Sequence, residues 1–478
     1  MADFETKIEN LLKKTIDNNT WRQRECINLI PSESTASLLV KLCEISDPMG
    51  RYAEHRTLKG NEMYFYQGTD FIREVEDELR KELQVYFGCT NIELRPISGQ
   101  MANEIVYKAM VKFVNRERGA KLSRRLKAVI NNDLNKGGHL SAQPMGSLFN
   151  FVEENQDTGK ENVFNIPVLK DNPYKADVVK LGDLVASVKP ELIIFGKSMF
   201  IYGEPVKYVA DVIKNMPNRP IIMFDMAHVL GLYGAFQEPF QEGADVVTGS
   251  THKTFFGPQR GVVAGNMAAG TGLEKLWIEI KGRAMPGSTS NHHLGTLLGL
   301  LLATYEMNQF KKEYQEQVIK NARAFARALQ ASGITVEGGE AEGFTDTHQV
   351  LIRVRQYGTG EEIARRLEDN NIITNYQALP DDESFIGSSG IRMGTQEMTR
   401  FGMKEADFAP LAGYIADCVK SNKPVKAEVK KFREKFLSMQ YCLPPEKVFP
   451  LATAVLASIL PGDWYTGKFA ENLAALVK

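Results

Sequence analysis

Two apolar runs that each end in chemically useful residues constrain this chain more than any other feature. Ile221-Ile222-Met223-Phe224 leads into Asp225, with Ala227 and His228 just beyond. Asp245-Val246-Val247 leads into Thr248-Gly249-Ser250-Thr251-His252-Lys253. Both read as buried strands. Residues 127–130 and 190–195 are further strands of this kind, and residues 71–87 carry a helical apolar spacing. Strands alternating with helices predict an α/β fold with a largely parallel sheet. Such sheets bind ligands beyond the carboxyl ends of their strands, where Asp225 and Lys253 would stand.

A lysine flanked by small hydroxyl residues can form a Schiff base with an aldehyde cofactor. Pyridoxal phosphate would use three features of this stretch. Lys253 would hold the aldehyde carbon, Asp225 would keep the pyridine nitrogen protonated, and Ser250 with nearby backbone would help hold the phosphate. Taken alone, the pair leaves a solvated lysine and a capped turn open. Ser98-Gly99-Gln100 opens a helix, and free N–H groups plus the helix dipole make that end a phosphate cradle or an ordinary cap by Ser98. Gly137-Gly138-His139 lets the backbone approach a flat ligand. Arg392, between Ile391 and Met393, offers a planar fork for a carboxylate.

Composition narrows the classes. The chain has 478 residues, a net charge of -1 and 43% hydrophobic content, which fits a globular protein with no basic surface for nucleic acid. Its five cysteines are scattered without Cys-x-x-Cys spacing, so neither a disulfide framework nor a zinc site is expected, and a reducing cytoplasm fits. The first residues carry charges throughout and are not read as a signal peptide; no apolar stretch is long enough to span a bilayer. Adjacent His292 and His293 invite a metal, but neighbours on a helix diverge and no ligand set completes, so no metal is expected.

Taken in order, these segments resemble the serine hydroxymethyltransferase family of fold-type I pyridoxal phosphate enzymes. The likeness spans roughly residues 27–402 and rests on Asp225-Met226-Ala227-His228, Thr251-His252-Lys253-Thr254, Tyr52-Ala53-Glu54, Gly137-Gly138-His139 and the arginine segment at Arg392. The resemblance implies that Ser32 and Arg392 hold the substrate carboxylate and that Tyr52 reaches the phosphate of a neighbouring subunit. It implies that Glu54 moves a proton at the substrate hydroxyl beside Tyr66, and that His139 lies over the ring. Ser98, Gly99, Gln100, Ser198, His228, Ser250, His252 and Gly287 complete the implied cofactor site. The sequence departs from the family's pattern after Glu54, where HRTLKGNEM replaces a glycine-tyrosine-proline-glycine-lysine-arginine segment. It also departs at residues 141–146 and at Gln377, both on the folate side, and at Arg260, which stands one position past the family's arginine.

The resemblance implies reversible one-carbon transfer between serine and glycine with tetrahydrofolate as co-substrate. The alternative is a folate-independent retro-aldol enzyme of the threonine aldolase or transaldolase type, or a transferase acting on α-methylserine or using another pterin. A silent binding protein would not need Lys253, Asp225, His139 and Arg392 together. The expected organisation is an N-terminal arm (1–35), a large cofactor-binding domain (36–293), and a linking helix, small α/β domain and tail (294–478). A homodimer or homotetramer with shared sites and no membrane association is expected. Locally, helices are expected at 5–18, 35–44 (Ser32 as its cap), 294–307, 314–332 and 360–370. Strands are expected at 94–97, 350–354 and 372–375, and a proline-rich turn at 443–450.

Overall fold

The structure is a computed structural model and describes residues 2–58, 61–117, 124–459 and 471. Its largest sheet has seven strands. In spatial order they are Asn91–Glu93, Gly261–Gly265, Val246–Ser250, Ile221–Asp225, Leu192–Gly196, Val129–Asn131 and Val163–Asn165. Gly261–Gly265 runs against both of its neighbours, and all other pairs are parallel. The central strands are buried at every residue. Their side chains alternate: Ile193, Phe195, Ile222, Phe224 and Val247 enter one core, and Leu192, Ile194, Ile221, Met223 and Val246 the other. This period of two is why the runs are apolar throughout. The register sets Gly196, Asp225 and Thr248 side by side at the carboxyl ends.

A second sheet of four antiparallel strands has the order Thr335–Val336, Gln349–Arg353, Gly390–Gly394 and Asn375–Gln377. It has its own core, built on Ile352, Ile363, Ile391 and Met393. One helix serves both cores. Leu294–Ala331 runs for 38 residues, about 57 Å at 1.5 Å per residue. Leu297, Leu300 and Met307 face the large core, whereas Phe325 and Leu329 face the small one. The two helices expected there are continuous, because Asn308 to Glu313 contains no glycine or proline to stop them.

Other local expectations also shift. The strand expected at 94–97 lies instead at Asn91–Glu93. Pro96 has no N–H for a ladder, and Arg95 folds back on Glu93 with its backbone N–H 3.0 Å and its Nε 2.7 Å from Oε1. The helix expected at 35–44 begins at Leu38 and is capped by Ser37, whose Oγ accepts from the Val40 N–H, so Ser32 is not its cap. The strand expected at 372–375 splits. Ile372–Ile373 pairs in parallel with Ile27–Asn28, and Asn375–Gln377 joins the Arg392 strand. The proline-rich turn is largely helix, since Pro445–Ile459 is helical with Pro445 at its first position. The tail beyond 459 lies outside the described residues, apart from residue 471. The N-terminal helix Ala2–Thr20 has Phe4, Ile8, Leu11, Leu12 and Ile16 exposed along its length. Among the described residues no helix is long and apolar enough to cross a membrane.

Candidate active site

Asp225 ends a strand buried on both faces, so its carboxylate meets the protein rather than water. Oδ1 accepts from the Ala227 N–H at 2.9 Å. Oδ2 accepts from Asn103 Nδ2 at 2.8 Å and from His139 Nδ1 at 2.6 Å. Ser141 Oγ lies 3.4 Å from the same oxygen and accepts from Asn103 at 2.5 Å. Burial pushes the Asp225 pKa up, but the His139 imidazole, the Ala227 N–H and Asn103 outweigh it and hold it down at about 2. The group is therefore an anion at any working pH.

Lys253 lies just past the next strand and is 9% exposed. Its ammonium makes no hydrogen bond or ion pair among the described residues. Burial lowers its pKa to about 8; Asp225 opposes that shift and Arg392 adds to it. A lysine so poised is neutral in part near neutrality, as attack on an aldehyde requires.

Arg392 comes from the smaller sheet. Its Nη1 donates to the Ser198 carbonyl at 2.6 Å and its Nε to Asn375 Oδ1 at 3.4 Å. Among the described residues no carboxylate pairs with it, and burial lowers its pKa to about 10. The Ser32 turn reaches the same corner. The Gly394 N–H bonds the Leu29 carbonyl at 2.7 Å, and a β-carbon on Gly394 would lie 2.7 Å from Pro31 Cα.

The helix Gly99–Glu117 begins beside these groups. Ser98 Oγ accepts from the Met101 N–H at 3.1 Å and Ser98 O from Ala102 at 3.0 Å, which leaves the Gly99 and Gln100 N–H groups for an incoming anion. A β-carbon on Gly99 would sit 2.1 Å from Ser250 Oγ, so glycine is what lets helix end and hydroxyl share one wall. His228 Nδ1 and His252 Nδ1 are buried without a hydrogen-bond partner among the described residues. Burial holds both imidazoles below their ordinary pKa, that of His252 at about 4. His139 and His228 meet edge to face at 5.3 Å. An anion seat, a buried lysine, a buried carboxylate at a strand end and two imidazoles with a free buried Nδ1 among the described residues fit a phosphorylated aromatic aldehyde.

Four of the expected residues stand apart from this group. Tyr52 and Tyr66 are 48% and 44% exposed, with ring centroids 5.3 Å apart. Glu54 lies between them in sequence and has Arg56 at 3.8 Å. Gly287 belongs to a turn tied to the Tyr52 segment, since Asn291 Nδ2 donates to the Arg51 carbonyl at 2.9 Å. Among the described residues no hydrogen bond, ion pair or ring contact joins these four to Asp225, Lys253 or Arg392.

The Arg260 guanidinium donates to the carbonyls of Leu94, His292 and His293 and to Thr296 Oγ1. It is a fully buried brace and does not face the site. His292 lies against Glu76, and His293 is an exposed residue at the start of the long helix. Sequence reasoning missed Asn103, which also accepts from Thr248 Oγ1 at 2.5 Å and so locks the Asp225 web. Its one signal is a polar residue amid the buried apolar face of Ala102, Ile105 and Val106.

Residues 3–415 match the family model described as serine hydroxymethyltransferase. A serine hydroxymethyltransferase of Pyrobaculum aerophilum is 38% identical over 439 residues, 91% of this chain and 94% of that protein. Those of Staphylothermus marinus and Archaeoglobus fulgidus are 37% and 34% identical, covering 91% and 89% of this chain and 93% and 91% of theirs. Among solved structures, an L-threonine transaldolase of Pseudomonas fluorescens, in its internal aldimine state, superposes with a TM-score of 0.78 at 27% identity. It covers 98% of this chain and 99% of its own.

Proposed function

The chain belongs to the serine hydroxymethyltransferase family, and on that premise we propose how its residues divide the work and that tetrahydrofolate carries the one-carbon unit. It is a pyridoxal phosphate-dependent enzyme of serine and glycine. When bound, the cofactor supplies an aldehyde for an amino group and a ring that draws electrons from bonds at the substrate Cα. Lys253 would hold the aldehyde carbon. Asp225, ionised throughout, would keep the proton on the ring nitrogen. Ser98, Gly99, Gln100, Ser250 and His252 would hold the phosphate, and His139, Ser198 and His228 would hold the ring. Arg392 and Ser32 bind the substrate carboxylate. Glu54 takes the hydroxyl proton as the Cα–Cβ bond opens, with Tyr66 beside it.

The observation that carries this reading is Arg392, a buried guanidinium that no carboxylate pairs with among the described residues, in the corner shared with Lys253 and Asp225. No hydrogen bond, ion pair or ring contact among the described residues joins Tyr52, Glu54, Tyr66 or Gly287 to that corner, and this supports a homodimer or homotetramer in which they complete the partner's site. The exposed apolar stripe of the first helix supports the same assembly. We assign residues 1–35 to an arm, 36–293 to the cofactor domain and 294–478 to the linking helix, small domain and tail, in a cytoplasmic enzyme.

The folate assignment is tested with holoenzyme and serine. Glycine formation should rise strongly when tetrahydrofolate is added. A rate indifferent to folate, with aldehyde exchange on threonine, would instead select the aldolase or transaldolase alternative. Activity only on α-methylserine or with another pterin would select the remaining one.

A further inference from the structure

The Glu54 hairpin and the Gly287 turn converge on one buried carboxylate. Glu76 lies on the helix Asp70–Phe87, whose buried face is otherwise mostly apolar: Ile72, Val75, Leu79 and Leu83. Tyr64 Oη donates to its Oε2 at 2.7 Å, and His55 Nε2 stands 3.4 Å from the same oxygen. His292 Nε2 lies 2.6 Å from Oε1. His55 and Tyr64 are register partners in the hairpin His55–Leu58/Asn61–Tyr64, and their rings stack at 4.4 Å. His55 Nδ1 contacts the Ala53 carbonyl at 3.0 Å, and the Phe65 N–H donates to the Glu54 carbonyl at 3.0 Å. The backbone on either side of Glu54 is thus held by a strand pair that Glu76 pins. His292 brings in the turn that carries Gly287, and its own carbonyl is held by Arg260.

We propose that Glu76 is a positioning residue that fixes Glu54, Tyr66 and the Gly287 turn as one rigid half-site; the proposal rests on the role given to Glu54 above. Burying a carboxylate has a desolvation cost that an apolar residue at this position would avoid, so stability alone does not account for it. His55 also falls in the segment that departs from the family's pattern, directly after Glu54. Glu62 has ligand atoms within 4.8 Å of His55 and Glu76, but Arg80 and Lys281 approach it at 3.7 and 3.8 Å. Those cations disfavour a metal there.

The test compares holoenzymes carrying Glu76→Gln, Glu54→Gln, both, and Tyr64→Phe. Misplacing a reacting group by a fraction of an ångström should lower kcat for serine roughly tenfold or more in Glu76→Gln. KM for serine and the bound-cofactor absorbance should stay as in the parent. The double variant should be no slower than Glu54→Gln alone, because Glu76 acts through Glu54. Tyr64→Phe, which keeps the ring stack, should show a smaller loss of kcat. Losses that multiply in the double variant, or an unchanged kcat in Glu76→Gln, would overturn the proposal while leaving Glu54 its role. If Glu54→Gln has the parent's kcat, the role of Glu54 falls and the proposal with it. Should Glu76→Gln fail to fold, an unchanged kcat in Tyr64→Phe would overturn it equally.

Discussion

Both oxygens of Asp225 are held by the chain's own donors, so its charge depends on the Ala227 N–H, Asn103 and His139. Asn103→Ala removes one donor from a buried anion and should destabilise the apo-protein by about 1.5–3 kcal/mol, read from the first denaturant transition. Asn103→Asp is more telling, because it sets a second carboxylate against the first. It should be more damaging at pH 7 than at pH 5, where the new group gains a proton and can donate. Lys253 gives the converse case. Its depressed pKa of about 8 means that cofactor uptake by apo-protein should quicken as pH rises through that value, well before an ordinary lysine would deprotonate. A profile rising only near the ordinary lysine value would contradict the buried setting. Arg392→Ala should raise KM for serine strongly, since a charge-assisted fork is worth on the order of 2–3 kcal/mol. The strand-end polar residues were legible because apolar runs announce where a buried strand stops. Asn103 and Ser141 were not, because a polar residue on a helix or in a loop carries no mark of its distant partner.

At the scale of elements, the start of the helix Gly99–Glu117 is the most sensitive joint. Gly99→Ala would drive a methyl group onto Ser250 Oγ. Overpacking of this kind costs typically about 1–3 kcal/mol, and the shift would move the free N–H groups that seat the phosphate. Weaker binding of pyridoxal phosphate with little change for unphosphorylated pyridoxal is the expected outcome, read by titration of cofactor absorbance. Elements were legible where period and burial agree, as in Leu192–Gly196 and Ile221–Asp225. They were misread where the deciding contact is remote. The strand Ile27–Asn28 exists only because Ile372–Ile373, far along the chain, pairs with it. The long helix reads as two because Asn308 to Glu313 is a mostly polar and charged stretch with no buried residue, and a break in hydrophobic pattern is not a break in backbone.

On the reading proposed above, the chain carries two half-sites. Lys253, Asp225 and Arg392 make up one, and half-buried Glu54 with exposed Tyr52 and Tyr66 the other. A closed twofold dimer would bring each corner to the partner's exposed patch and build two composite sites. Glu54→Gln and Lys253→Ala should each have little activity alone. When the two proteins are unfolded, mixed and refolded, half of the dimers should be mixed. Each mixed dimer then has one site carrying both substitutions and one carrying neither, so about a quarter of the parent's activity should return. If instead every site is built within one chain, the mixed dimers carry two damaged sites and the activity stays at the level of the separate variants. The result distinguishes the arrangements without requiring the structure of the assembly, because only a composite site can be repaired by a partner that is itself inactive.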